Sequence, residues 1–78
     1  MQRITYRKNT KYATNYCLCV DGKTVKPYIF VRKIPGNDCY QLFSNNFSFY
    51  DLIVFQGLFF DLAEAKQTLA EIYAEWQN

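Results

Sequence analysis

The residues that most often do chemistry in enzymes are scarce in this sequence. It contains no histidine, the side chain that most often serves as a general base or metal ligand near neutral pH. Its only glycines, Gly22, Gly36 and Gly57, are isolated from one another, so the sequence offers no glycine-rich loop to hold a phosphate group. The sequence therefore predicts a protein that is not an enzyme and that uses no cofactor.

Three cysteines, Cys17, Cys19 and Cys39, are the remaining candidates for metal binding or nucleophilic chemistry. Structural zinc sites use four ligands, usually with a longer spacer than the single residue between Cys17 and Cys19. A nucleophilic cysteine also needs an activating base or cation, and cysteines that alternate in an apolar strand are typically inert. We expect no metal site, and reduced, buried thiols in a protein of the cytoplasm.

Basic and aromatic residues interleave in the N-terminal half of the chain. Exposed rings flanked by cations are typical of protein-binding hot spots, and the same composition occurs in sheets that bind single-stranded nucleic acid. The alternative is that the rings face inward and the charges face water. We predict a partner-binding set on the side of the sheet that the helix leaves open, formed by Tyr6, Arg7, Tyr12, Tyr28 and Arg32.

Charge is divided unevenly along the chain. Residues 1–33 carry eight Lys or Arg against one Asp, whereas residues 34–78 carry one Lys against six acids. The halves are therefore near +7 and −5, although the whole chain is only +2. Such a chain can offer a basic and an acidic face to different partners, or its halves can neutralise each other in the fold. The small net charge favours a protein partner over a nucleic-acid backbone.

Residues 61–78 have the pattern of an amphipathic helix. With residues about 100° apart, the large apolar side chains fall within an arc of about 100°, the width of a stripe that faces a core. Asp61 can cap the first turn, with Glu64 three positions on as in a capping box. The helix also has a stripe of glutamates on the side away from the apolar stripe, and these form either a solvated face or an acidic binding surface. The apolar stripe contains Leu62, Ala65, Leu69, Ile72, Tyr73 and Trp76, and the acidic stripe contains Glu64, Glu71 and Glu75.

The sequence before this helix alternates like β-strands and is divided by turn residues. Asp21-Gly22 favours a tight hairpin turn, and Pro35-Gly36 favours a second turn. Strands are predicted over residues 3–8, 15–20, 23–34 and 39–43. Residues 47–60 fit either a central strand or a short buried helix, with Gly57 as a bulge or a corner. We predict one α+β domain over residues 1–78, with an antiparallel sheet of about four strands and a C-terminal helix packed on one face.

The apolar residues of this chain predict a surface for a partner, not a membrane segment. Seven Tyr, seven Phe and one Trp are more large rings than one helix on one sheet face needs. The basic N-terminus lacks a following apolar run, and the longest apolar run, residues 52–55, is far too short to span a bilayer. We therefore expect no signal peptide and no membrane partner.

Two resemblances follow from these features. The run Phe59-Phe60-Asp61-Leu62-Ala63-Glu64-Ala65-Lys66 after a sheet resembles the strand-to-helix junction in the three-stranded DNA-binding domains of phage-type integrases. That resemblance implies a sheet that enters the DNA major groove. In its size, lack of catalytic residues, surplus rings and segregated charge, the whole chain resembles the anti-CRISPR proteins of phages and mobile elements.

The second resemblance implies an inhibitor in the host cytoplasm that blocks a surface of a nucleic-acid-handling effector complex. That class shares no motif, so the resemblance assigns no functional residue. We rank this protein-binding inhibitor first. The alternatives are a small DNA- or RNA-binding domain that uses its basic, aromatic sheet, and a structural subunit that self-associates, for example as a homodimer.

Overall fold

The structure, a computed structural model, describes residues 3–9, 14–25 and 28–77. These residues form an antiparallel sheet with helices on one side, which confirms the predicted α+β class. Four of the described strands have five or six residues and two have only two. The elements are β1 (Ile4–Asn9), β2 (Asn15–Val20), β3 (Lys23–Thr24), β4 (Ile29–Lys33), β5 (Tyr40–Ser44), α1 (Phe47–Ile53), a 3₁₀ turn (Val54–Gln56), β6 (Leu58–Phe59) and α2 (Leu62–Gln77).

The strands lie in the order β1-β2-β4-β5-β6, and the short β3 pairs with β2. Tyr6 of β1 lies opposite Leu18 of β2, and Cys17 of β2 lies opposite Phe30 of β4. The segment predicted as a single return strand, residues 23–34, instead contains two strands, β3 and β4. Both pair with the same edge of β2, one after the other.

The predicted turn at Asp21-Gly22 is confirmed by its backbone geometry. Asp21 and Gly22 have φ values of 52° and 82°, and this left-handed pair is what a two-residue hairpin turn requires. The Asp21 side chain secures the turn further, because its Oδ1 accepts a hydrogen bond from the Arg3 amide at 3.0 Å. The turn after β4 likewise contains a left-handed glycine, Gly36, with φ of 78°.

Helix α2 begins after Asp61, as predicted. Asp61 Oδ1 accepts a hydrogen bond from the Ala63 amide at 3.0 Å, which caps the first turn. The apolar stripe of α2 packs on the sheet, and Lys66 places its ammonium 4.8 Å from the centre of the Tyr16 ring. The core cluster contains Leu18, Ile29, Val31, Leu42, Phe49, Ile53, Phe59, Ala65, Leu69 and Tyr73.

The ambiguous segment over residues 47–60 contains a helix, not a central strand. Asn46 caps α1 by accepting a hydrogen bond from the Phe49 amide at 2.9 Å. Phe49 is fully buried, and its ring meets the Trp76 ring edge-on with centroids 5.2 Å apart, which joins α1 to α2. Gly57, with φ of 74°, makes the corner that leads into β6. Among the described helices, none is both long enough and apolar enough to cross a membrane.

Candidate functional site

The alternation of side chains along the strands gives the sheet two different faces. We call the side against which α1 and α2 pack the covered face, and its central residues are Leu18, Ile29, Val31 and Leu42, all fully or almost fully buried. The opposite side is the open face, which carries the alternate residues of the same strands. By strand register the open face contains Thr5, Arg7, Asn9, Asn15, Cys17, Cys19, Phe30, Arg32, Gln41 and Phe43. Tyr28, just before β4, lines a groove on this face together with Phe30.

One row of side chains crosses the open face from β1 to β5. Arg7, Cys17, Phe30 and Phe43 lie opposite one another in successive strands, so the row spans about 14 Å. The Phe30 and Phe43 ring centroids are 5.2 Å apart with the rings tilted by 39°. Phe43 also meets Tyr50 of α1 edge-on at 5.5 Å. These are favourable ring geometries, so the three rings form one cohesive aromatic cluster.

A groove of about 420 Å³ runs along this row. Its walls combine rings, the Cys17 side chain and three amide side chains, and its lining residues are Asn9, Asn15, Cys17, Tyr28, Phe30, Phe43 and Asn45. A neighbouring hollow shares Phe43 and Asn45 and extends to Phe47, whose side chain is 88% exposed. The apolar surface therefore continues from the sheet onto the start of α1.

The charges of the open face are positive. Arg7 and Arg32 are both exposed on it, and none of the described strands contains an Asp or Glu. Arg7 Nη2 donates a hydrogen bond to the Gly22 carbonyl at 3.4 Å, which holds its guanidinium beside the hairpin turn. Five exposed acids instead belong to the helices or to the cap of α2: Asp51, Asp61, Glu64, Glu71 and Glu75. The charge division along the sequence thus becomes a division between the sheet and the helical layer.

The three cysteines are free thiols, of which Cys19 and Cys39 are buried and Cys17 is half-buried on the open face. Burial raises the pKa of the Cys17 thiol, the neighbouring Cys19 raises it further, and Arg7 acts in the opposite direction. Cys17 is therefore a neutral, apolar part of the groove wall near pH 7. The described residues contain no cluster of His, Cys, Asp and Glu that could hold a metal ion.

The structure brings together part of the predicted partner-binding set. Arg7, Tyr28 and Arg32 lie on the open face, and Tyr28 lines the groove. Tyr6 lies on the covered face, because it is opposite Leu18, and its hydroxyl donates to the Lys66 carbonyl at 2.6 Å. Burial raises the pKa of the Tyr6 hydroxyl far above its ordinary value. The fifth member, Tyr12, lies outside the described residues.

The open face also contains residues that were not in the predicted set, and Phe30, Phe43 and Asn15 are three of them. Phe30 could have been included, because in one strand it must share a face with Tyr28 and Arg32. Phe43 belongs to another strand, so its place beside Phe30 depends on the register of β4 and β5, which the sequence does not show. Nothing in the sequence marks Asn15 as part of a binding face, since an asparagine in a strand fits a solvated position equally well.

Five other large apolar side chains, within residues 52–60, are exposed and do not line the groove, and we call them the end cluster. It contains Leu52, Val54, Phe55, Leu58 and Phe60, with Phe55 and Phe60 at 89% and 80% exposure. Its sequence neighbours Asp51 and Asp61 are acidic, whereas the groove is flanked by Arg7 and Arg32. The two apolar surfaces therefore differ in the charge that accompanies them.

Comparison of the chain with protein-family models, with curated proteins and with solved structures finds no match. The resemblances to anti-CRISPR proteins and to integrase DNA-binding domains therefore stay predictions. The chemistry of the open face is therefore the basis on which a function can be proposed.

Proposed function

We propose that this protein is a small binding module without catalytic activity, which docks the open face of its sheet on an acidic surface of a partner protein. The observation that carries the proposal is the composition of that face. An aromatic cluster of Phe30, Phe43 and Tyr50 lies on a face that also carries two exposed arginines. Arg32 is two residues from Phe30 in β4, and Arg7 is at the other end of the row, in β1. Apolar rings at the centre with arginine beside them are typical of the residues that dominate protein interfaces.

The arrangement of the rings favours a protein over a single-stranded nucleic acid. Base stacking uses ring faces that stand free on a surface, one base to each ring. Phe30 and Phe43 are half-buried and tilted against each other, and Phe43 also receives the edge of Tyr50. Together they present a shaped apolar surface instead of separate stacking platforms. Among the described strand residues, the open face has two arginines, which are few cations with which to follow a phosphate backbone.

The partner class that we propose is a nucleic-acid-handling effector complex of a host defence system, and the protein would inhibit it by occupying one of its surfaces. This is how anti-CRISPR proteins act, and an inhibitor of that kind needs affinity but no catalytic residue. A sequence without histidine and a basic, aromatic face are consistent with such a role. An inhibitor of this class would act in the cytoplasm of the host cell.

Capture from a nuclease-treated host lysate tests the proposal. Arg32→Glu and Lys33→Glu make the same charge change at adjacent positions of β4 whose side chains point to opposite faces. We expect the wild-type protein and Lys33→Glu to retain the same partner, and Arg32→Glu to lose it. The proposal is wrong if no protein is recovered after nuclease treatment, or if all three baits recover it equally.

Direct nucleic-acid binding is the second candidate, and the amides of the groove favour it. Asn9, Asn15 and Asn45 lie beside aromatic rings, and asparagine side chains are well suited to base edges. The test is fluorescence anisotropy with mixed-sequence single-stranded DNA, single-stranded RNA and duplex DNA, at roughly 50 and 200 mM salt. We expect weak binding throughout. Tight binding that falls steeply with salt and depends on Arg7 and Arg32 would replace the protein-binding proposal.

A further inference from the structure

We propose that a cleft beside α2 is a second binding surface of this protein, and that it takes a basic amphipathic helix from another protein. The cleft lies between α2 and the segment that carries the end cluster. Among the described residues, the cleft and the groove of the open face share no lining residue. The inference therefore goes beyond the proposed function and does not depend on it.

Two adjoining hollows, of about 500 and 380 Å³, form the cleft. Gln56 of the 3₁₀ turn lines both of them, so the hollows are continuous there. The α2 wall of the cleft is formed by residues at helical spacing, and these are Glu64, Thr68, Ile72, Glu75 and Trp76. From Asp61, which also lines the cleft, to Trp76 the helix axis rises about 22 Å, or about four helical turns.

The wall opposite α2 is apolar and open to water. Leu52, Leu58 and Phe60 of the end cluster line the cleft, and all three side chains are exposed. On α2, Ile72 and Trp76 add apolar surface that is only partly buried. Contiguous apolar surface that stays in contact with water typically marks an interaction site. A ligand with an apolar side would remove these side chains from water, which favours binding.

The charges of the cleft are negative, and they identify the chemistry of its occupant. Asp61, Glu64 and Glu75 line the cleft and are exposed, and among the described residues no Lys or Arg lines it. A segment with Lys or Arg beside its apolar side chains would complement these carboxylates while it buries the apolar wall. The same carboxylates repel a nucleic-acid backbone, an anionic membrane surface and a second copy of this chain docked cleft to cleft.

A helix is the form of segment that suits this cleft. The backbone of α2 forms its hydrogen bonds within the helix, so this wall offers none to an extended segment, whereas a helical ligand forms its own. Amphipathic helices bind in apolar grooves through anchors three, four and seven residues apart. The described helices of this chain cannot supply such a ligand, because α1 contains no Lys or Arg and α2 contains only Lys66. The helix must therefore come from another protein.

Three model peptides test the inference on the purified protein. The probe is an alanine-based helix of about 16 residues, with Leu along one face and Lys on both sides of that face. One control peptide has Glu in place of every Lys, and the other has the composition of the probe in a shuffled order without an apolar face. In calorimetric titrations at about 150 mM salt, we expect the probe to bind saturably and each control at least about tenfold more weakly.

Matched variants locate the binding. Glu64→Lys and Glu75→Lys should each weaken binding of the probe about fivefold or more, because each reverses a charge that lines the cleft. Glu71→Lys makes the same change at an exposed position of α2 that lines neither hollow, so it should change affinity by less than about twofold. Phe60→Ala should weaken binding about tenfold, whereas Phe47→Ala, at an exposed ring beside the groove of the open face, should have no effect.

All five substituted side chains are exposed, so the variants should keep the melting temperature of the wild type within a few degrees. The inference is wrong if the probe does not bind, if either control peptide binds as tightly, or if Glu71→Lys and Phe47→Ala weaken binding as much as the cleft variants do. It is also wrong if sedimentation shows that the wild type self-associates and that Phe60→Ala abolishes the association. The end cluster would then be a contact between copies of this chain.

Discussion

The two faces of this sheet are built from alternate residues of the same strands, yet they have different surroundings. In β4, Ile29 and Val31 are completely buried beneath the helices, whereas Phe30 between them is half-buried and Arg32 is exposed. One helical layer can cover only one face of a sheet. Burial in the core therefore explains why the covered face has apolar rings. It does not explain the rings of the open face, and for this reason we propose that those rings bind a partner.

Tyr6 and Tyr28 show that the same residue type is packed under a helix on the covered face and exposed on the open face. The Tyr6 ring lies beneath the Lys66 ammonium, 5.4 Å from it, and its hydroxyl is bonded to the Lys66 carbonyl. Tyr28 is 47% exposed and lines the groove. Both tyrosines lie close to basic residues in the sequence, so composition alone gives them the same role. Only the position of each strand relative to α2 separates a structural tyrosine from a candidate for binding.

The largest difference between the two faces should appear in the stability of two Phe→Ala variants. Phe49 is fully buried under the covered face, so Phe49→Ala should lower the free energy of unfolding by about 3–5 kcal/mol and the melting temperature by about 12 °C or more. Phe43 is only half-buried, so Phe43→Ala should cost about 1–2 kcal/mol. Thermal unfolding followed by circular dichroism measures both. Equal losses would mean that the open face belongs to the core as much as the covered face does.

Substitution of Tyr28 should affect partner binding, whereas substitution of Tyr6 should affect stability. Tyr28→Ala should weaken partner binding by about 2 kcal/mol, as expected for an interface anchor, and change stability by less than about 0.5 kcal/mol. Tyr6→Phe should cost about 1 kcal/mol of stability, because it removes a part-buried hydrogen bond, and leave binding unchanged. Calorimetry with the captured partner and thermal unfolding give the two quantities. A loss of binding in Tyr6→Phe with no loss in Tyr28→Ala would reverse the assignment of the faces.

The covered face should also be sensitive to alkaline pH through Tyr6. Because burial raises the pKa of this hydroxyl in the folded state, the unfolded chain releases the proton first, at about pH 10. The stability contributed by the neutral hydroxyl is therefore present below about pH 10 and is lost as the pH rises above it. Melting temperatures between about pH 9 and 11 should fall less steeply for Tyr6→Phe than for the wild type. Parallel pH profiles would show that Tyr6 ionises freely in the folded protein.

The smallest expected effect is the different reactivity of the three thiols. Cys17 is half-buried on the open face, whereas Cys19 and Cys39 are buried, so N-ethylmaleimide should modify Cys17 first in the folded protein. The raised pKa should make this reaction slower than that of an unfolded control peptide near pH 7.5. A bound partner protein should slow the modification of Cys17 further. Peptide mapping by mass spectrometry would contradict this prediction if Cys39 reacted before Cys17, or if partner left the rate at Cys17 unchanged.

Much of the fold could be predicted from the sequence because its signals are local. The hairpin turn at Asp21-Gly22 and the cap at Asp61 each depend on a few neighbouring residues. The segment around α1 could not be assigned, because its apolar residues fit both a strand and a helix. The helix is decided by the Asn46 cap together with the burial of Phe49 and Ile53 against other elements. Those last contacts are tertiary, so no local pattern contains them.

The candidate site could be predicted only in part, for a similar reason. Alternation along the strand predicted over residues 23–34 places Tyr28 and Arg32 on one face without any knowledge of the fold. Whether that face is the open one depends on where α2 docks. The face of Tyr6 depends on the register of β1 against β2, which puts it beside Leu18 and under the helix.

The most direct test of the central claim compares two double variants that remove the same charge from neighbouring positions. Arg7 and Arg32 point to the open face, and their sequence neighbours Lys8 and Lys33 belong to the other face by strand alternation. We predict that Arg7→Ala with Arg32→Ala weakens affinity for the captured partner by about tenfold or more, and that Lys8→Ala with Lys33→Ala changes it by less than about twofold. Equal losses in the two double variants, or no loss in either, would contradict the claim that the open face is the binding surface.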